Sequence, residues 1–207
     1  MLSSSLIFWL ACAVTFFWAV GAYNRLVRLR AGVRKAFAAL DELLLRQVVW
    51  VQGCLPASMR SGAMPEEDEG NAAMPSETEA VWSRLSAASE QFSVALAHLR
   101  AQPIDGVTTA SLAMAHEMLL AAWDGAMENA VAPDADPSAE RLNARWMTLL
   151  HQAVPPQEAF NSAVNAYNGA IRQFPAILLA KLFSFRPAGQ IHLLNSSRSA
   201  ETIGPLV

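Results

Sequence analysis

Charge is scarce in this chain. Asp, Glu, Lys and Arg make up 16% of it and hydrophobic residues 53%, whereas about 25% charge is usual in a soluble domain. That shortage argues that part of the chain sits in lipid. A basic excess is missing as well: a net charge of −3 and a pI near 5.8 argue against nucleic acid as a partner, because binding a polyanion needs a basic face that releases counterions. Cysteine is nearly absent, and Cys12 and Cys54 are too few for a disulfide framework and too far apart for a CxxC pair. Catalytic signatures are missing by class, with no GxSxG elbow, no GxGxxG or Walker loop and no HExxH. His98, His116, His151 and His192 all lack a Glu three residues earlier, which a di-iron helical site requires. The expectation is a chain without catalytic residues, metal or cofactor.

What is present begins with "LIFWLACAVTFFWAVGA", Leu6 to Ala22, seventeen residues without a charge. As a helix it covers about 26 Å, nearly the ~30 Å of a hydrocarbon core. The competing reading is a cleavable signal peptide ending at Val20, Gly21 and Ala22. Three features count against it: no basic residue precedes the run, two Trp lie inside it, and helical periodicity continues past the possible cut. Arg25, Arg28, Arg30, Arg34 and Lys35 follow the run directly. Basic flanks stay cytoplasmic, so the amino end is expected outside and the body inside. Arg25, Arg28 and Arg30 are placed to meet anionic headgroups.

Strand alternation is lacking throughout, and four apolar stripes of helical spacing replace it. Leu26, Leu29, Val33, Phe37, Leu40, Leu44, Val48 and Val51 form the first, continuous with the apolar run. Gly53 and Pro56 end it and open a stretch, 53–75, whose composition predicts a mobile acidic linker. Ser76 and Glu79 have the spacing of a capping box; Trp82, Leu85, Ser89, Phe92, Leu96 and Leu99 follow as the second stripe. After a break at "AQPIDG", Leu112, Ala115, Leu119, Ala122, Ala126 and Ala130 make a third stripe of smaller side chains, which permits close approach. Asp136 is placed to cap a helix beginning at Pro137. The fourth stripe, Leu142, Trp146, Leu149, Ala153, Phe160, Val164, Tyr167, Ile171 and Phe174, keeps one phase across Pro155 and Pro156, where a kink or short break is expected. The fold class is therefore all-α: a transmembrane helix, 6–22, continuous with a long antiparallel four-helix bundle, 23–187, between a short amino end, 1–5, and a disordered tail, 188–207.

Two polar or aromatic patterns stand out near the end. Asn161, Asn165 and Asn168 step by 4 and 3 along one face. They are expected to bond across helices and fix register, with a ligand-binding row as the alternative. "LFSFRP" sets Leu182, Phe183, Phe185 and Arg186 where they either fold back on the bundle or present an apolar anchor to a partner or lipid surface.

"YNRLVRLRAGVRKAFAALDELLLR" and "FNSAVNAYNGAIRQFPAILLAKLFSFRP" together resemble the opening and closing motifs of the LemA family, and cover about a quarter of the chain at its two ends. The residues that match include Tyr23, Asn24, Leu26, Val27 and Asp41 in the first, and Phe160, Asn161, Tyr167, Asn168, Ile171, Arg172, Phe174, Pro175, Leu182, Phe183, Phe185, Arg186 and Pro187 in the second. The middle departs from that family's pattern, with "QVVWVQGCLP" and the acidic linker in place of its usual continuation. The resemblance implies a divergent single-pass protein of a bacterial inner membrane with a long helical bundle, in a family whose biochemical role is largely undefined, and it makes an HtpX-type membrane protease a candidate partner; the expected function is a non-enzymatic adaptor or scaffold for membrane or envelope proteins. The alternative is a helical bundle that binds lipid or a small molecule beside Ala115 to Ala126.

Overall fold

The computed structural model describes residues 2–56, 76–130, 137–174 and 176–193. Five helices account for most of them: α1 (Leu2–Cys54), α2 (Glu77–Ala101), α3 (Gly106–Ala130), α4 (Pro137–Arg172) and α5 (Ala176–Leu182). No strand occurs among the described residues. The 57–75 part of the expected linker, the Asp136 cap and Pro175 lie outside them.

No proline interrupts α1 before Cys54, so the apolar run and the first stripe form one helix of about 80 Å. Gly53 and Cys54 belong to this helix, and Leu55 beyond it is buried, so the expected linker begins later than Gly53. The two halves of α1 differ in what surrounds them. Leu6, Ile7, Phe8, Trp9, Phe16 and Phe17 are all more than 60% exposed, whereas Leu26, Val33, Leu40, Leu44 and Val51 are wholly buried. This is one helix long and apolar enough to cross a membrane.

The carboxyl half of α1 packs chiefly on α4, and α2 chiefly on α3. Contacts between α1 and α4 run in opposite senses: Phe37 meets Phe160 at 6.0 Å, and Trp50 stacks on Trp146, also at 6.0 Å. α1 and α4 are therefore antiparallel. The turn between α2 and α3 is set by Asp105, whose carboxylate accepts from the amides of Val107 and Thr108 at 3.1 Å each, satisfying two donors that a helix start leaves free. At the start of α2, Ser76 and Glu79 form the reciprocal capping box that their spacing predicts. One apolar cluster joins all the helices.

Most of the stripes are core, with exceptions. Phe174, expected as the last member of the fourth stripe, is 81% exposed. Its phase is right but α4 ends at Arg172, so none of the described residues packs over it. Pro155 and Pro156 do not break α4, which runs unbroken from Pro137 to Arg172. The carbonyls they deprive of partners belong to His151 and Gln152, which are exposed and open to water. Outside the stripes, Trp123 is fully buried and lies 5.0 Å from Trp50 and 5.2 Å from Trp146, closing the end of the body far from the apolar run.

Candidate functional site

Beyond α5 the chain turns at Ser184, at φ 54, and runs back along α4 as an extended strap to Leu193. The expected disorder from 188 onward is corrected here for 188–193: Ala188, Ile191 and Leu193 are buried. The reason lies in α4. The asparagines expected to bond across helices bond to this strap instead. Asn168 accepts from the Ala188 amide at 2.8 Å and donates to its carbonyl at 2.9 Å. Asn161 does the same for Ile191, at 2.9 and 2.7 Å. Asn165 accepts from Gln190, and Gln157 from the Leu193 amide. A helix face thus supplies the donors and acceptors that a neighbouring strand would otherwise give to an extended backbone.

Two further groups seal the strap. Tyr167, 1% exposed, donates its hydroxyl to the Arg186 carbonyl at 2.9 Å; burial pushes its pKa up, against a lowering by the charge of Arg30. His116, also 1% exposed, makes a 2.9 Å bond to the Leu193 carbonyl through Nδ1. A carbonyl only accepts, so Nδ1 carries the proton. Burial holds the imidazole neutral, lowering its pKa to about 4 despite the upward pull of that carbonyl. Its Nε2 has no partner among the described residues, and the ring sits 5.3 Å from Phe92.

The aromatic residues singled out in the sequence gather where the strap starts. Phe183 and Phe185 lie 5.0 and 6.0 Å from Tyr23, and the Arg30 guanidinium stands 5.9 Å from the Phe185 ring. Leu182 is 74% exposed and Arg186 is exposed. Asn24, Arg25 and Arg28 are exposed on α1. Asp41 pairs instead with Arg100 of α2 at 2.6 Å, and Phe160 is core. Tyr23 and the tail motif, at opposite ends of the sequence, therefore meet, whereas Asp41 belongs to a separate contact.

Above this collar a cleft of about 610 Å³ is lined by Arg30, Arg34, Arg186, Tyr167 and the α2–α3 turn. Its walls mix three arginines with apolar Ala101, Pro103, Ile104 and Pro187, and its one carboxylate, Asp105, is engaged in capping α3. No group of three or more His, Cys, Asp or Glu able to hold a metal occurs among the described residues. Sequence reasoning missed His116 as a strap contact and Arg34 as a cleft wall; neither carries a local signal, because the fold alone brings Leu193 and Arg186 to them.

Comparison of the chain with protein-family models, with curated proteins and with solved structures found no match.

Proposed function

We propose that this protein is a single-pass, membrane-anchored helical adaptor without chemistry of its own, which holds other membrane or envelope proteins against a rigid body. The observation that carries this reading is the continuity of α1: one helix supplies both an exposed apolar span and the central wall of the core. In this reading the four long helices form an antiparallel four-helix bundle. The amino end lies outside and the bundle in the cytoplasm, because the basic flank follows the span. The likeness of both chain ends to LemA motifs supports the same reading and makes an HtpX-type membrane protease the first partner to test. Asn161, Asn165 and Asn168, expected to bond across helices, and His116 are engaged in holding the strap, which favours an architectural role for them.

The test is crosslinking in native membranes followed by pulldown. Stable protein neighbours, lost when the partner is deleted, support the adaptor. Copurifying lipid or anionic metabolite without protein favours the second reading, a bundle that binds an anionic small molecule or headgroup, for which the cleft walled by Arg30, Arg34 and Arg186 is the specific observation.

A further inference from the structure

Apolar side chains stand uncovered at the anchor end of the body. Phe174 is 81% exposed, Leu178 60%, Leu182 74% and Phe183 53%. Leu178 and Leu182, four residues apart, share one face of α5, and Phe174 stands in the turn before it, while Ala180 is buried against the body. Contacts with α1 fix where this segment lies. Phe174 and Ala176 border a hollow with Trp18, Gly21 and Ala22, and Phe183 lies 5.0 Å from Tyr23. The hollow extends along α1 from Trp18 to Leu26, and Tyr23 falls inside that range, so both ends of the α5 segment meet α1 at the same level, although nine helical steps from 174 to 183 would cover about 13 Å. A segment held so at both ends crosses α1 rather than following it. Its level is where the apolar surface of the span gives way to Arg25.

Charge on α5 and on the part of α1 beside it has one sign. Neither 1–40 nor 159–200 contains an Asp or Glu, while Arg25, Arg28, Arg172 and Lys181 are exposed. We infer that α5, with Phe174 and Phe183 at its ends, lies in the headgroup boundary of the bilayer that α1 spans, its Phe174, Leu178 and Leu182 side chains inserted among acyl chains and the basic residues among anionic headgroups. Such in-plane helices bind through apolar burial and attraction to anionic lipid together. The occupant is lipid because Phe174 and Ala176 border the same hollow as Trp18 and Gly21 of the span itself. A protein partner would first have to displace the bilayer that the anchor brings there. The body is thereby held at two points, the span and α5, and not by a single swivel.

This inference rests on the anchor reading, and the experiment separates the two. Full-length protein with Cys12→Ser and Cys54→Ser carries one cysteine, labelled with an environment-sensitive fluorophore, at position 14, 94 or 178. Each is placed in vesicles of phosphatidylcholine and phosphatidylglycerol containing a quencher attached near the top of the acyl chain, with a second set quenched at mid-chain. A label replacing Leu178 is expected to shift to the blue and lose most of its emission to the shallow quencher. The label at Val94, exposed on α2, is expected to do neither. Solvent-like emission at 178, equal to that at 94, overturns the inference while quenching at Val14 keeps the anchor; loss of quenching at Val14 overturns the anchor itself. A blue shift at 178 that depends on protein density and resists both quenchers would instead assign the face to a second copy, and also overturns it. Leu178→Asp with Leu182→Asp, exposed positions whose change leaves the core intact, is expected to abolish quenching of a label at 174 without altering melting in detergent.

Discussion

His116 makes the stability of the body depend on pH. Its folded pKa, about 4, lies below the 6.5 of a free imidazole, so between those values the unfolded chain binds a proton that the folded one refuses. Stability is therefore fully present above pH 6.5 and declines as pH falls toward 4, by up to about 3 kcal/mol from the size of the shift. Denaturant midpoints of the detergent-solubilised protein at pH 7.5 and pH 5 should differ accordingly, and His116→Gln should flatten that difference. Core and boundary phenylalanines should separate equally sharply. Phe160→Ala leaves a cavity against Phe37 and costs about 3–5 kcal/mol, whereas Phe174→Ala, removing an exposed ring, should leave the melting temperature in detergent unchanged. Cys54 is half-buried and its thiol is pushed up in pKa by burial. Because the thiolate is the nucleophile, an impermeant maleimide should label it more slowly than a cysteine placed at Val49, 60% exposed on the same helix. Val49→Cys in a Cys54→Ser background is accordingly the better reporter of which side of the membrane the body occupies.

At the scale of elements, the strap depends on a close approach that only glycine allows. A Cβ on Gly189 would overlap the Thr109 hydroxyl and stand 2.7 Å from the Gly106 Cα, and backbone at that distance has no cheap way to yield. Gly189→Ala should therefore lift the strap, read as faster hydrogen exchange at the Ala188 and Ile191 amides while the amides of α1 and α4 stay protected. The sequence discloses the helices better than it discloses this strap. Each helix repeats its apolar signal over several turns, so Leu40, Phe92, Leu119 and Phe160 all fall in the core where periodicity puts them. Even the failure at Phe174 is one of termination and not of phase. The strap is a single short pass with no period of its own. Its register is written on another element, in the spacing of Asn161, Asn165 and Asn168, and that spacing says only that something polar faces α4. The tail aromatics were legible as a cluster, but their contact with Tyr23 joins chain ends separated by the whole body.

For the whole molecule, the decisive property is that anchor and core share α1. Gly32 lies on the core part of α1, between buried Leu26 and Val33, with open space where a Cβ would go. Gly32→Ala should raise stability by about 0.5–1 kcal/mol, and Gly32→Pro should cost about 3 kcal/mol or more by breaking the helix there. Spin labels at Phe16 and Leu45 should show a narrow distance distribution in the parent and a broad one in the proline variant. An unbroken α1 also behaves as a lever. From Ala22 to Cys54 it extends about 48 Å beyond the boundary, at 1.5 Å per residue. A 10° change in the tilt of the span, of the kind that bilayer thickness imposes, would carry the Trp50, Trp123 and Trp146 end sideways by roughly 8 Å. Thickness, a property of the lipid, is then converted into position, a property that any protein touching the far end can feel.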